Sequence, residues 1–137
     1  MINSERYRMS LRITHPSIVS EHVSKELGLV PKFSYTSGDQ KLTPKGGELP
    51  GIRKDSFWTY ELAATDEPFE HAVEKFTSAL KEKKSFLEKI TETGGRVEYF
   101  VGWFTTGNSG FSLEPHLLSQ LAAIGVNLTI NVYVEDT

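Results

Sequence analysis

Polar and apolar residues alternate without interruption near the start of the chain. Tyr7, Met9, Leu11 and Ile13 fall on one side of a two-residue period, with Arg8, Ser10, Arg12 and Thr14 on the other. That period predicts a strand with one buried face. His15-Pro16-Ser17 breaks it and opens a helix, since proline suits a first turn where its missing N–H has no partner to lose. Ile18, Val19, Val23 and Leu27 then recur at helical spacing, and Gly28 is a suitable stop. From about Val30 to Asp55 the apolar signal fades. Three prolines (Pro31, Pro44, Pro50) and four glycines (Gly38, Gly46, Gly47, Gly51) punctuate the stretch. It reads as a long loop, with a short hairpin turning at Gly46-Gly47 as the alternative.

A strand-prone run, Phe57-Trp58-Thr59-Tyr60-Glu61-Leu62, comes next. Asp66 as cap and Pro68 in the first turn start a helix carrying Phe69, Val73, Phe76 and Leu80 on one face. Phe86, Leu87 and Ile90 resume that stripe beyond the polar run Lys81 to Lys84. Either one long helix or two helices bent near Lys83 satisfies the spacing, with the end at Gly94-Gly95. A strand from about Arg96 to Phe104, a turn at Gly107 to Gly110, and a helix from Glu114-Pro115 to Gly125 follow. Val126, Leu128, Ile130 and Val132 then alternate in a last strand. No strand is a continuous apolar run of the kind that both covered faces of a parallel sheet require. The expected fold is therefore α+β: a two-layer sandwich of about four mainly antiparallel strands with helices on one face. Its order is β-α-β-α-β-α-β, in a single domain over residues 1–137.

Composition narrows the chemistry. The 137 residues carry 15 basic and 18 acidic side chains, a formal net charge of −3, which argues against a generally basic nucleic-acid binder. There is no cysteine, hence no disulfide, thiolate nucleophile or Cys-ligated metal. No stretch has the apolar length of a signal peptide or a membrane span, so a cytoplasmic chain with no membrane partner is expected. His15, His22, His71 and His116 have no three- or four-residue spacing, and no nucleophile elbow or phosphate-binding fingerprint occurs. No catalytic residue, metal site or cofactor is expected.

What remains is the loop and its aromatic neighbours. Lys41, Lys45, Arg53 and Lys54 outnumber Asp39 and Glu48 between residues 39 and 54, so this stretch is locally positive. Phe57 cannot share a face with Trp58 and Tyr60. If the Trp58/Tyr60 pair faces away from the helices, it forms an exposed aromatic patch with Phe100 and Phe104, as partner interfaces often do. Gly38, Asp39, Lys41, Arg53, Trp58 and Tyr60 are the candidate binding residues.

Several short motifs recur together: Leu11-Arg12-Ile13, Leu27-Gly28-Leu29 with Pro31, Gly38-Asp39, Trp58, and the closing series Leu121, Gly125, Leu128, Ile130, Tyr133. In this pattern the chain resembles a family of small bacterial proteins described as a domain of unknown function. The resemblance spans nearly the whole chain and implies a bacterial, single-domain α+β protein. It brings no activity and no catalytic residues. The expected function is non-enzymatic protein binding, through the exposed sheet face or the 30–55 loop, with a toxin immunity protein as one specific version. The partner is then another protein, and a homo-oligomer stays open. The alternative is a small ligand-binding domain or enzyme with a site under the 36–55 loop, built on Asp39, Lys41, Arg53 and His15.

Overall fold

The computed structural model describes residues 6–135, so the 1–137 domain expected from sequence extends past the described residues at both ends. The order is β1 (Arg6–His15), α1 (Ser20–Leu27), β2 (Phe33–Tyr35), β3 (Gln40–Leu42), β4 (Glu48–Ile52), β5 (Ser56–Glu61), α2 (Phe69–Leu80), α3 (Lys84–Glu92), β6 (Arg96–Thr105), α4 (Pro115–Ala123) and β7 (Asn127–Val134). One 3-10 turn, Lys81–Lys83, joins α2 to α3. Five strands form the main sheet in the order β2-β5-β1-β6-β7, and β3-β4 is a separate two-stranded ribbon.

The α+β class stands, with two corrections. The sheet has five strands rather than four, because the Pro/Gly-rich stretch supplies β2 at its edge as well as the β3-β4 hairpin. The sheet is also mixed: β1 pairs antiparallel with β5 and β6, β2 antiparallel with β5, and β7 parallel with β6. The parallel step follows from topology, since α4 carries the chain back to the starting end of β6 before β7 begins.

Helices cover one face. Met9, Leu11 and Ile13 of β1, Trp58 of β5, and Val97, Tyr99, Val101 and Trp103 of β6 form a continuous core with Val23, Phe69, Val73, Leu87, Ile90, Leu117 and Leu121 of the helices. Each buried residue of Leu or Phe size contributes about 1.5–3 kcal/mol relative to exposure. No residue from 30 to 55 belongs to this core.

The helical stripe of residues 69–92 is two helices with a bend at Lys81–Lys83. Helix α1 begins at Ser20 rather than beside Pro16, because the His15 ring accepts the Ser17 and Ile18 backbone N–H groups (3.0 and 2.9 Å) and holds that segment outside the helix. Asp66 does not cap α2. Pro68 occupies the cap position, and the Thr65 hydroxyl takes the Glu67 N–H at 3.2 Å.

Candidate functional site

Register decides what each sheet face presents. Ile13 lies opposite Trp58 and Val97, and Leu11 opposite Tyr60 and Tyr99, so all of these point into the helical layer. The intervening residues point the other way, to a face that no helix among the described residues covers. Across it Tyr35, Phe57, Thr14 and Arg96 make one row. Phe33, Thr59, Arg12, Glu98 and Asn127 make the next, and Glu61, Ser10, Phe100 and Thr129 the third. Beyond these, Arg8 lies opposite Gly102, and Arg6, Phe104 and Tyr133 form the last row.

The candidate residues separate accordingly. Trp58 is 1% exposed, and its indole N–H donates to the Ser24 hydroxyl at 2.9 Å, so it is a core anchor without access to a partner. Tyr60 is half-buried and stacks between Trp58 and Phe76. Phe100 and Phe104 do lie on the open face, but their aromatic companions there are Phe57, Phe33, Tyr35 and Tyr133. Phe57 packs against Phe33 and Tyr35 with centroids 6.2 and 5.8 Å away.

The loop residues divide in the same way. Gly38 takes a positive φ of 91° that only glycine adopts at low cost, and Asp39 closes the turn by accepting the Thr36 N–H at 2.8 Å. Arg53 donates its N–H to the Asp39 carbonyl at 2.8 Å, while its guanidinium lies 4.0 Å from the centre of the Tyr35 ring. Lys41 runs along Gly51 inside the hairpin ribbon. Asp39 is thus spent on backbone geometry, and Arg53 joins the open face. His15, which accepts two backbone N–H groups through Nδ1, meets the Thr93 hydroxyl through Nε2 at 2.7 Å. Its hydrogen-bonding positions serve the fold.

The electrostatics of the open face are lopsided. Its three acids are all engaged: Glu61 with Lys32 (2.5 Å), Glu98 with Arg96 (3.4 Å), and Glu135 with Arg6. The hydrogen bond from Lys32 holds the Glu61 carboxyl below the usual carboxylate range, and the charges of Lys32 and Arg8 act in the same direction. Arg8, Arg12 and Arg53 form no salt bridge among the described residues. The Arg12 guanidinium lies 3.6 Å from the centre of the Phe100 ring, and its Nε is buried with no hydrogen-bond partner. A guanidinium stacked on an aromatic ring keeps its charge and its planar fork of N–H donors for a carboxylate. Sequence reasoning passed over Arg8 and Arg12, although their alternation with the apolar residues of β1 marks them as belonging to the opposite face.

A cleft of about 550 Å³ opens between the end of β5 with its following segment and α2, and Arg8 and Glu61 also line it. Met9, Tyr60, Leu62, Ala72, Phe76 and Ala79 supply apolar wall. It lies beside residues 61–67 rather than beneath the 36–55 loop. Among the described residues, no group of three or more His, Asp or Glu side chains is arranged to hold a metal ion, and no helix is long and apolar enough to cross a membrane.

These features define a class: an α+β domain with a mixed five-stranded sheet, helices on one face, and an arginine- and aromatic-bearing open face. The chain belongs to the family described as Domain of unknown function (DUF4279), whose model matches residues 5–135. No curated protein and no solved structure matches it.

Proposed function

We propose that this chain is a non-enzymatic protein-binding domain whose open sheet face holds an acidic segment of a partner protein. The observation that carries this reading is the pair Arg12 and Arg53, which form no salt bridge among the described residues and lie over aromatic rings, with Arg8 beside them, on a face where Glu61, Glu98 and Glu135 are already paired. A chain with net charge −3 that gathers guanidinium groups on one surface favours carboxylates at that surface. Phe33, 51% exposed beside Tyr35 and Phe57, supplies apolar contact of the kind interface centres use. Nucleic acid fits less well, because Glu61, Glu98 and Glu135 interrupt any continuous cationic track for phosphates. A bacterial toxin with an acidic surface, neutralised by this chain as its immunity protein, is one partner of this chemistry.

Selection from a displayed peptide library tests the proposal. Peptides rich in Asp, Glu and aromatic residues should be enriched. Arg12→Gln with Arg53→Gln should weaken their binding by about tenfold or more, the loss of one or two interface arginines. Enrichment of basic or uncharged peptides, or tighter binding of a single-stranded RNA than of any peptide, would overturn it. The apolar cleft favours a second reading, a small apolar ligand. Arg12 and Arg53 do not line the cleft, so Ala79→Phe, which narrows it from the α2 wall, separates the two: peptide binding that depends on Arg12 and Arg53 survives if the open face is the site.

A further inference from the structure

The main sheet ends in two edges of very different character. At one, β2 is three residues long. At the other, β7 runs for eight residues with no charge, proline or glycine between Asn127 and Val134. Edge strands normally carry such devices because their free N–H and C=O groups recruit other strands. Here Ile130, Val132 and Val134 are instead 36%, 59% and 75% exposed on the helix-side face of β7.

The free backbone groups can be assigned. The Glu135 N–H donates to the Thr105 carbonyl at 2.8 Å, so the residues of β7 in phase with it (Asn127, Thr129, Asn131, Tyr133) bond towards β6. Leu128, Ile130, Val132 and Val134 therefore direct their N–H and C=O groups away from the sheet.

We infer that β7 is a homodimer interface, in which a second copy pairs its own β7 antiparallel about a two-fold axis at Asn131. This register places Leu128 opposite Val134 and Ile130 opposite Val132, so all four outward-facing residues exchange both backbone bonds with the copy. Apolar side chains meet apolar side chains on one face, while Thr129 meets Tyr133 and Asn131 meets Asn131 on the other. No charge opposes a like charge anywhere along the strand. Shifting the centre by a residue in either direction leaves one of the four outward residues outside the paired segment. The self-complementarity argues for a second copy over an unrelated strand, because the one segment satisfies both sides of an isologous interface. The dimer joins the two sheets edge to edge and leaves Arg8, Arg12 and Arg53 uncovered, so it stands independently of the protein-binding proposal.

Sedimentation velocity on the full chain across a dilution series tests the inference. The expected mass is twice 15.4 kDa. Asn131 is exposed and faces its own copy across the axis. Asn131→Lys alone and Asn131→Asp alone should each weaken the dimer by at least about tenfold through like-charge opposition, with thermal melting confirming that both fold. An equimolar mixture of the two variants should regain it as a heterodimer. Val30→Lys, at an exposed position away from β7, should dimerise as the parent does. A monomeric parent chain, an unweakened Asn131→Lys dimer, or no recovery in the mixture would each overturn the inference.

Discussion

Tyr99 carries a hydroxyl into the middle of the core, and Thr77 of α2 makes this tolerable. The two oxygens are 2.7 Å apart and both residues are fully buried. A buried polar group left without its partner costs about 1–3 kcal/mol. Thr77→Val should destabilise the chain by that amount in urea unfolding, and Tyr99→Phe added to it should recover part of the loss, giving a coupling energy of about 1 kcal/mol. Strict additivity would mean that the hydrogen bond is not what the pair contributes. Burial also pushes the Tyr99 ionisation well above that of a free tyrosine. The unfolded chain therefore releases this proton first, near pH 10, and the stability from keeping Tyr99 protonated is lost as pH rises beyond that point. Stability measured between pH 9 and 11 should fall less steeply in Tyr99→Phe than in the parent. In the sequence Tyr99 shares a two-residue period, and so one face, with Val97 and Val101. Nothing there marks Thr77 as its partner, because a polar residue on the α2 stripe reads as exposed until the sheet register brings it opposite Tyr99.

At the scale of elements, the strands and helices with a sustained period were legible, and those without one were not. β1, β6 and α2 announce themselves by alternation or by a four-three-four step. β2 is three residues, too short for any period, so Phe33 and Tyr35 look in sequence like part of the Pro/Gly-rich loop. The site suffered from the same limit. The sequence showed that Phe57 opposes Trp58 and Tyr60 across the sheet, but which side is inside depends on β5 pairing with β1, a contact between residues some 45 positions apart. Gly95 shows the reverse, a turn recognised from sequence whose tightness only the packing reveals. It donates its N–H to the Ile90 carbonyl at 2.8 Å, and a Cβ there would come within 2.7 Å of the Thr14 carbonyl oxygen and 2.8 Å of that of Ile90. Backbone cannot yield as a side-chain tip can. Gly95→Ala should therefore destabilise by about 1–3 kcal/mol, read as a lowered denaturation midpoint at unchanged slope. An equal effect from Gly107→Ala, where a Cβ meets nothing within 4 Å, would show that general glycine replacement and not this contact is responsible.

The molecule as a whole is one core with one appendage. Every helix and the four longest strands of the main sheet place residues in or against the core, whereas the β3-β4 ribbon contributes none. The exposure of all five residues of β4 says the same. The ribbon leaves the body through a narrow neck: the Gly38 N–H donates to the Arg53 carbonyl and the Arg53 N–H to the Asp39 carbonyl, both at 2.8 Å. That second bond has the geometry that closes a four-residue turn, so residues 40–52 can be replaced by Asn-Gly, giving Asp39-Asn-Gly-Arg53 with the bond kept. The shortened chain should unfold cooperatively with a melting temperature within about 4 °C of the parent, the shift expected for no more than roughly 1 kcal/mol in a domain of this size. Arg53 stays over Tyr35 in that chain, so its affinity for acidic peptides should also hold. A melting temperature lowered by much more would show that the ribbon braces the body. Retained stability with lost peptide binding would instead move the contact surface from the sheet face to the ribbon, where Lys41 and Lys45 outnumber Glu48.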